Sequence, residues 1–332
     1  MTERIFAAVV LAAAVAVVLW RLLAPASAST VVVYVSHDQI FSEPILKDFE
    51  RETGIQVKAL YDTEETKSAG AMNRLIAEKA NPQADVYWAN EPIRAEVLRQ
   101  QGVSAPYRSP GAKGIPEQFR NVEGHWTGFS ARARVLIANR SLGGKPRSIR
   151  AYTDPRYSGK MVIANPLFGT TTAHFAALFI VWGDADATAF LDAMRRNGVK
   201  ISSSNGESAD QVATGAFQFA LVDSDDVQSR IKQGQPVEDV YPDQEKGGLG
   251  CFIVPNAVLL IKGGPHPEAG RKLIDYLLSR ETERKLAYSD AAQIPLHPGV
   301  ETPPSVPRLE TLKVMKVDYA AVAAKMQTIQ PL

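Results

Sequence analysis

Three carboxylates stand together after one of the apolar runs of this chain. Asp223, Asp225 and Asp226 fall within four residues, directly after residues 219–222, which read Phe-Ala-Leu-Val. Adjacent carboxylates repel one another unless a cation or the amino terminus of a helix stabilises them. The pattern therefore favours a bound metal ion or an amine, and the start of a solvated helix gives the same pattern.

A glycine and three threonines stand before an apolar helical segment. Gly169, Thr170, Thr171 and Thr172 offer backbone N–H groups and hydroxyls, which suit an oxyanion at a helix N-terminus. An ordinary N-cap needs only one such hydroxyl. We expect an anion-binding helix start here, with a simple N-cap as the alternative.

Further polar residues follow other strand-like runs. Ligands of open parallel sheets bind beyond the carboxyl ends of the strands, so these loops are candidate sites. His37 is a candidate metal ligand or an ordinary hydrogen-bond donor, and Glu64 carries the same ambiguity as the acidic cluster. The remaining candidate ligand-binding residues are Ser36, Asp38, Asp62, Thr63, Asn90, Glu91 and Asn205.

Strand-like and helical segments alternate along the chain. The β-branched run 31–35 is followed by apolar residues at helical spacing over 40–49 and by an alternating run over 55–61. Two segments, 251–254 and 257–262, are predicted as separate strands near the end of the chain. The alternation predicts an α/β fold built from β-α-β units with mostly parallel sheets.

The length of the chain suits two such lobes with a ligand cleft between them. Segments 128–137 and 250–261 are the expected crossings from one lobe to the other. We therefore assign residues 29–130 plus 256–332 to the first lobe and residues 131–255 to a second, inserted lobe.

The N-terminal residues have the composition of an export signal. An apolar run covers residues 5–20, and Ala26-Ser27-Ala28 matches a signal-peptidase site. Residues 1–28 are predicted to be a signal peptide or a retained membrane anchor. Either alternative places the remaining chain outside the cytoplasm, in the periplasm or an equivalent compartment.

Charge and cysteine content exclude several classes of protein. The 332 residues include 37 Lys+Arg and 36 Asp+Glu, and removal of residues 1–28, which contain Glu3, Arg4 and Arg21, leaves 35 of each. A neutral body argues against a nucleic-acid partner. The only cysteine, Cys251, excludes an intrachain disulfide and a multi-cysteine zinc site. Enzyme motifs such as G-x-S-x-G, H-E-x-x-H and the P-loop are missing, which disfavours an enzyme.

Several stretches together resemble the substrate-binding proteins of ABC importers, in particular the ferric-iron-binding group. They are residues 34–39 (YVSHDQ), 49–57 (FERETGIQV), 84–88 (ADVYW), 166–171 (PLFGTT) and 265–269 (PHPEA). The resemblance covers nearly the whole exported body. It implies the two-lobed fold of type 2 periplasmic binding proteins and delivery of a solute to an ABC permease and its ATPase.

The resemblance also implies roles for individual residues. In that family, the metal ligands are two adjacent tyrosines, a group from the first loop and an acid from the second-strand loop. A hydroxyl-bearing helix start holds a synergistic anion. By position, His37 matches the first-loop group and Glu64 matches the acid of the second-strand loop. Thr170 and Thr171 match the anion site, and Asn205 lines the second lobe. Asp225 and Asp226 stand where the tyrosine pair is expected. The expected metal ligands are therefore His37, Glu64, Asp225 and Asp226.

These observations predict a monomeric, non-enzymatic binding protein without a resident cofactor. Ferric iron together with an anion is the favoured transported ligand. A phosphonate, phosphate or zwitterionic organic solute is the first alternative. An exported metal-dependent phosphoesterase is the second alternative, and a sensor that binds the same solute but signals through a partner is the third.

Overall fold

The computed structural model describes residues 29–62, 69–141, 145–167 and 169–329. The predicted leader, residues 1–28, and the candidate ligands Thr63 and Glu64 lie outside these ranges. Within these ranges, no helix is long and apolar enough to cross a lipid bilayer.

The described residues form ten strands and ten α-helices, together with several short 3₁₀ segments. The strands are β1 (Thr30–Val35), β2 (Gln56–Tyr61), β3 (Val86–Ala89), β4 (Ser104–Ala105), β5 (Thr127–Asn139), β6 (Met161–Ala164), β7 (Lys200–Ser202), β8 (Phe219–Asp223), β9 (Val237–Val240) and β10 (Ile253–Ile261). The helices are α1 (Gln39–Thr53), α2 (Ala69–Ala77), α3 (Pro92–Gln100), α4 (Gly169–Trp182), α5 (Asp184–Arg196), α6 (Asn205–Ala213), α7 (Ser224–Lys232), α8 (Pro267–Leu277), α9 (Arg280–Tyr288) and α10 (Tyr319–Ile329).

Eight of the strands form one continuous sheet in the order β2-β1-β3-β10-β5-β8-β6-β7, while β4 pairs with β10 and β9 pairs with β5. The first lobe contains the parallel strands β1, β2 and β3, and the second contains the parallel strands β6, β7 and β8. Strands β5 and β10 join the two groups and run antiparallel to their neighbours. The predicted two-lobed α/β fold is confirmed, but its sheets are mixed rather than mostly parallel, because the two long joining strands reverse direction.

The joining strands carry two backbone irregularities that face each other. Ser130 in β5 has φ = +37°, a conformation that costs a residue with a side chain. The pairing of β5 with β10 shifts register between Pro255 and Asn256, so the two predicted strands 251–254 and 257–262 are one strand with an irregularity. The Asn256 side-chain amide donates to the carbonyl of Ser130 at 2.5 Å. The predicted lobe boundaries at 131 and 255 fall within these strands and stay a prediction.

The hydrophobic core lies along the central strands of the sheet. The central strands β3, β5, β6, β8 and β10 are buried along almost their whole length because helices cover both faces. The C-terminal helix α10 packs against both α3 and α4, and the hydroxyl of Tyr319 donates to the carbonyl of Ile253 at 2.6 Å. Cys251 is fully buried beside this region, and burial raises the pKa of its thiol to about 12, as expected for an inert cysteine.

Candidate functional site

A buried arginine that the sequence analysis missed lies at the centre of the site. Arg134 in β5 has no solvent exposure, and both terminal nitrogens of its guanidinium donate hydrogen bonds to surrounding oxygens. Nη1 donates to Thr170 Oγ1 (3.0 Å), Asn205 Oδ1 (3.1 Å) and Asp223 Oδ1 (3.0 Å), and Nη2 to Thr171 Oγ1 (3.1 Å) and the carbonyl of Leu221 (3.1 Å). One side chain therefore joins the starts of α4 and α6 to the end of β8.

Asp223 is the anionic partner of this arginine. Its Oδ2 accepts from Thr170 Oγ1 at 3.0 Å and from Asn205 Nδ2 at 3.3 Å. Arg132, two residues before Arg134 on the same face of β5, lies 3.7 Å from the same oxygen. Burial alone raises the pKa of Asp223, but the guanidiniums of Arg134 and Arg132 reverse this, and the pKa lies below its usual value.

Asp223, Asp225 and Asp226 lie together as the sequence suggested, but in a helix start rather than a loop. Asp223 ends β8, and the other two lie in the first turn of α7. One ligand oxygen from each of the three carboxylates lies within 4.8 Å of the others. Burial raises the pKa of both Asp225 and Asp226, and neighbouring carboxylates raise them further, so each binds a proton more readily than a free aspartate.

Arginines supply part of the compensating charge, which the sequence analysis had assigned to a metal or an amine. The charge of Arg132 acts on both Asp223 and Asp225, and Arg230 Nη1 lies 3.8 Å from Asp226 Oδ1. The acidic cluster can therefore exist without a metal ion. It remains a group of three oxygen ligands of the type that hard cations prefer.

The outer side of the cluster opens into a cavity of about 430 Å³. Asp225 and Asp226 line it from α7, and Phe41 lines it from α1 of the first lobe. The other lining residues are Ser229, Arg230, Lys232, Gln233 and Asp290. The cavity therefore lies where the two lobes face each other.

In the first lobe, the ends of β1, β2 and β3 form a second polar group. Ser36 Oγ donates to Asp62 Oδ2 at 2.5 Å and lies 2.7 Å from the hydroxyl of Tyr87. Because the single hydroxyl proton of Ser36 is directed to Asp62, the Tyr87 hydroxyl is the donor to Ser36. Asp62 Oδ1 also accepts from the backbone N–H of Ala71 at 2.7 Å, which ties the end of β2 to the first turn of α2.

His37 lies near this group but does not join the acidic cluster. Its ring stacks on Trp88 with centroids 5.5 Å apart, and its Nε2 lies 3.4 Å from Nε2 of Gln293. Among the described residues, the only group of three or more His, Cys, Asp or Glu side chains whose ligand atoms lie close enough to hold a metal ion consists of Asp223, Asp225 and Asp226. His37 is thus not part of the group that contains the predicted ligands Asp225 and Asp226.

Asn90 and Glu91 have mainly structural contacts. The carbonyl of Asn90 accepts from Arg132 Nη2 at 2.5 Å, so Arg132 contacts both lobes. Glu91 caps α3, accepting from the N–H groups of Ile93 at 2.8 Å and Arg94 at 3.1 Å. Asp38 precedes α1, and its charge acts on Arg132 and on Asp225.

The threonine-rich helix start is turned toward the protein rather than open to a solute. Thr170 and Thr171 both contact Arg134, and the hydroxyl of Thr172 donates to the carbonyl of Pro166 at 2.7 Å. Gly169 is exposed, with φ = +63°, and begins α4. The threonines therefore belong to the first turn of α4, whereas the sequence analysis placed them before the helix.

His174 is buried one turn further along α4, and neither ring nitrogen has a hydrogen-bond partner among the described residues. Burial, together with the charge of Arg134, lowers its pKa to about 3. The ring is therefore neutral at neutral pH. Phe252 packs edge-on against it, with ring centroids 5.6 Å apart.

Comparison with known proteins identifies the kind of protein that carries this site. The sequence model of the family described as "Bacterial extracellular solute-binding protein" matches residues 45–314, most of the chain. The chain belongs to this family. Members are binding components of ABC importers, which act outside the cytoplasm and deliver a solute to a membrane permease rather than catalyse a reaction. The alternative of an exported phosphoesterase is therefore set aside.

One relative is similar to this solute-binding protein in sequence, and two proteins of known structure are similar to it in fold. This chain is 27% identical to iron uptake protein A1 of Synechocystis over 272 residues. The aligned region covers 76% of this chain and 73% of the relative. The Trichodesmium protein IdiA (FutA) in complex with iron and citrate matches with a TM-score of 0.81 and 20% identity over 91% of this chain and 98% of that one. The periplasmic binding protein AfuA of Actinobacillus pleuropneumoniae, with fructose 6-phosphate bound, matches with a TM-score of 0.76 and 21% identity, over 92% and 97% of the two chains.

Proposed function

We propose that this solute-binding protein captures ferric iron outside the cytoplasm and delivers it to an ABC permease with its ATPase. The observation that carries the proposal is the convergence of Asp223, Asp225 and Asp226 beside a cavity between the lobes. Ferric iron is a hard cation, and hard cations take carboxylate oxygens as ligands. The kinship with an iron uptake protein supports the same cargo.

Asp225 and Asp226 are the proposed iron ligands because their side chains line the cavity. His37 lies in the first lobe beside Trp88 and Gln293, and its role as a ligand stays a prediction. Glu64 stays in the set by resemblance alone. Ser36, Asp62 and Tyr87 form the facing wall, which would approach the metal when the lobes close.

The same proposal covers the assembly and the compartment. Residues 1–28 act as a signal peptide or as an anchor, and the remaining chain works as a monomer in the periplasm or at the outer face of the membrane. No nucleic acid and no resident cofactor take part, and iron is the cargo.

Iron binding by the chain lacking residues 1–28 tests the proposal. The protein is dialysed against ferric nitrilotriacetate, desalted and analysed for iron by mass spectrometry. We expect stoichiometric iron in the wild type and a loss of at least about tenfold in affinity for Asp225→Asn and Asp226→Asn, because each removes a charged ligand.

Asp192→Asn is the matched control, since Asp192 lies on α5 with 46% of its side chain exposed and pairs with Arg195. This variant should bind iron like the wild type. Wild-type protein without iron, or equal iron in all four proteins, would remove the metal assignment.

A second candidate cargo is a phosphorylated organic solute, and Arg132 is the observation that favours it. Its side chain is 13% exposed and contacts both lobes, so a guanidinium is available at the lobe junction. Arginine is well suited to phosphate oxygens, and AfuA binds fructose 6-phosphate. Calorimetry with fructose 6-phosphate and with 2-aminoethylphosphonate tests it; binding that Arg132→Gln abolishes and Arg156→Gln retains would favour this cargo over iron.

A further inference from the structure

We propose that the carboxylate of Asp223 is a built-in anion of the metal site and that iron binds here without a co-bound free anion. This inference rests on the proposed iron function. The helix start at Thr170 has the donors that suit an oxyanion, and Asp223 already occupies them.

Three donors surround the Asp223 carboxylate. Thr170 Oγ1 lies 3.0 Å and Asn205 Nδ2 lies 3.3 Å from Oδ2, while Arg134 Nη1 lies 3.0 Å from Oδ1. A hydroxyl, an amide and a guanidinium are the groups that bind a free carboxylate or phosphate in proteins. Asp223 therefore makes the contacts that such an anion would make.

The donors are themselves fixed in these directions. Arg134 Nη1 also donates to Thr170 Oγ1 and Asn205 Oδ1, and Asn205 Nδ2 donates to Thr170 Oγ1 at 3.0 Å. Thr170 Oγ1 thus accepts two hydrogen bonds and its single proton is directed to Asp223. The Asp223 carboxylate therefore accepts from donors whose directions are set by their other hydrogen bonds.

The carboxylate also lies beside the two proposed iron ligands. Its ligand oxygen is within 4.8 Å of ligand oxygens of both Asp225 and Asp226. A free anion would have to displace Asp223 from a guanidinium that has no solvent exposure, and displacing a paired, buried charge is costly.

The two neighbouring threonine hydroxyls also have hydrogen-bond partners inside the protein. Thr171 Oγ1 accepts from Arg134 Nη2, and the proton of Thr172 Oγ1 is directed to the carbonyl of Pro166. The hydroxyl cluster that the sequence marked as an anion site therefore holds the carboxylate of its own chain.

Removal of the Asp223 side chain tests the proposal. Wild type and Asp223→Ala are loaded with ferric iron in a non-coordinating buffer, with and without phosphate, and iron retention is measured against a competing chelator. We expect retention by the wild type to be independent of phosphate. Asp223→Ala should retain iron at least about tenfold less firmly without phosphate and recover with it, because phosphate can enter the vacated donors.

Asp223→Asn is the companion variant, since its carboxamide fills the same space without charge. It should lose affinity like Asp223→Ala but show no recovery with phosphate. It also keeps the test valid if Asp223→Ala does not fold. A wild type that needs phosphate, or an Asp223→Asn that holds iron like the wild type, overturns the proposal.

Phosphate binding by iron-free protein separates this inference from the iron function. Calorimetry should detect phosphate binding to Asp223→Ala and none at this position in the wild type. Phosphate binding to Asp223→Ala supports the built-in anion even if no variant binds iron. Absence of iron binding would instead reject the proposed cargo. Absence of phosphate binding to a folded Asp223→Ala overturns the inference.

Discussion

Arg134 and Asp223 stand directly opposite each other in the antiparallel pairing of β5 with β8, and their side chains meet at 3.0 Å with the arginine wholly buried. The pair lies at the end of the pairing between β5 and β8, where β8 passes into α7. A cross-strand ion pair thus sets both the register of the second lobe and the donors around the proposed metal site.

Replacement of Arg134 should destabilise the protein strongly. Arg134→Met removes five hydrogen bonds and leaves the Asp223 carboxylate buried beside a more distant Arg132. Breaking one partner of a buried ion pair costs about 3–5 kcal/mol, and urea denaturation measures the loss of unfolding free energy. Arg156→Met, at a side chain 80% exposed, is the control and should change the free energy of unfolding by less than about 1 kcal/mol. Equal losses in the two variants would contradict the role given to Arg134.

The strained backbone of Ser130 gives a second prediction. Its φ of +37° is natural for glycine and costly for any residue with a Cβ, and its hydroxyl has no partner among the described residues. Ser130→Gly should therefore be more stable than Ser130→Ala by about 1 kcal/mol in thermal or urea unfolding. If the alanine variant is the more stable, the strain assigned to this joining strand is wrong.

Asn256 holds the same junction together through its side chain. It donates to the carbonyl of Ser130 and to Gln293 Oε1, and it accepts from Trp88 Nε1 at 3.2 Å. Asn256→Ala leaves these buried groups without their partner, so we expect a loss of about 2–4 kcal/mol of unfolding free energy. Gln83→Ala, which removes an exposed amide bonded to a loop carbonyl, should be nearly neutral. A small effect at Asn256 would mean that water or another group replaces the amide.

The buried His174 should make stability depend on pH. Its folded pKa of about 3 lies below the ordinary value of 6.5, so the unfolded chain binds a proton first as the pH falls. The stability that the neutral ring contributes is present above pH 6.5 and is lost progressively below it.

Comparison with a variant isolates this effect from other titrations. Between pH 7 and pH 5, the wild type should lose about 2 kcal/mol more unfolding free energy than His174→Leu. Denaturation series at both pH values measure the difference. Parallel losses in the two proteins would show that His174 does not stay neutral in the folded state.

Hydrophobic periodicity predicted the main alternation of elements but missed those whose buried face is polar. α9 buries Thr282 and Glu283 beside Leu286, and α6 buries Ser208 beside Ala209 and Val212, so polar residues interrupt the apolar face of each helix. For β5, the sequence analysis named only the crossing segment 128–137, because Arg132 and Arg134 interrupt the apolar pattern of the strand. The structure shows that these arginines are inside the fold.

The contents of the site were predictable, but their partners were not. Acids after β8 and threonines before α4 were visible as local clusters. Their connection through Arg134 depends on the register between β5 and β8, which are 89 residues apart at the paired positions. Local sequence carries no information on such a register until both strands are placed. Two charged residues at alternate positions within an otherwise apolar strand were the available signal.

The position of β10 in the chain has a consequence for folding during synthesis. β1, β2 and β3 are complete by Ala89, yet the strand that pairs with β3 begins only at Ile253, and Trp88 stands opposite Val258. The ribosome must therefore produce the whole inserted lobe before the first sheet acquires its neighbour. Long-range pairing of this kind slows folding. A nascent chain that stops before residue 253 contains β1 to β9 but lacks β10, so β3 has an open edge that invites association with other chains.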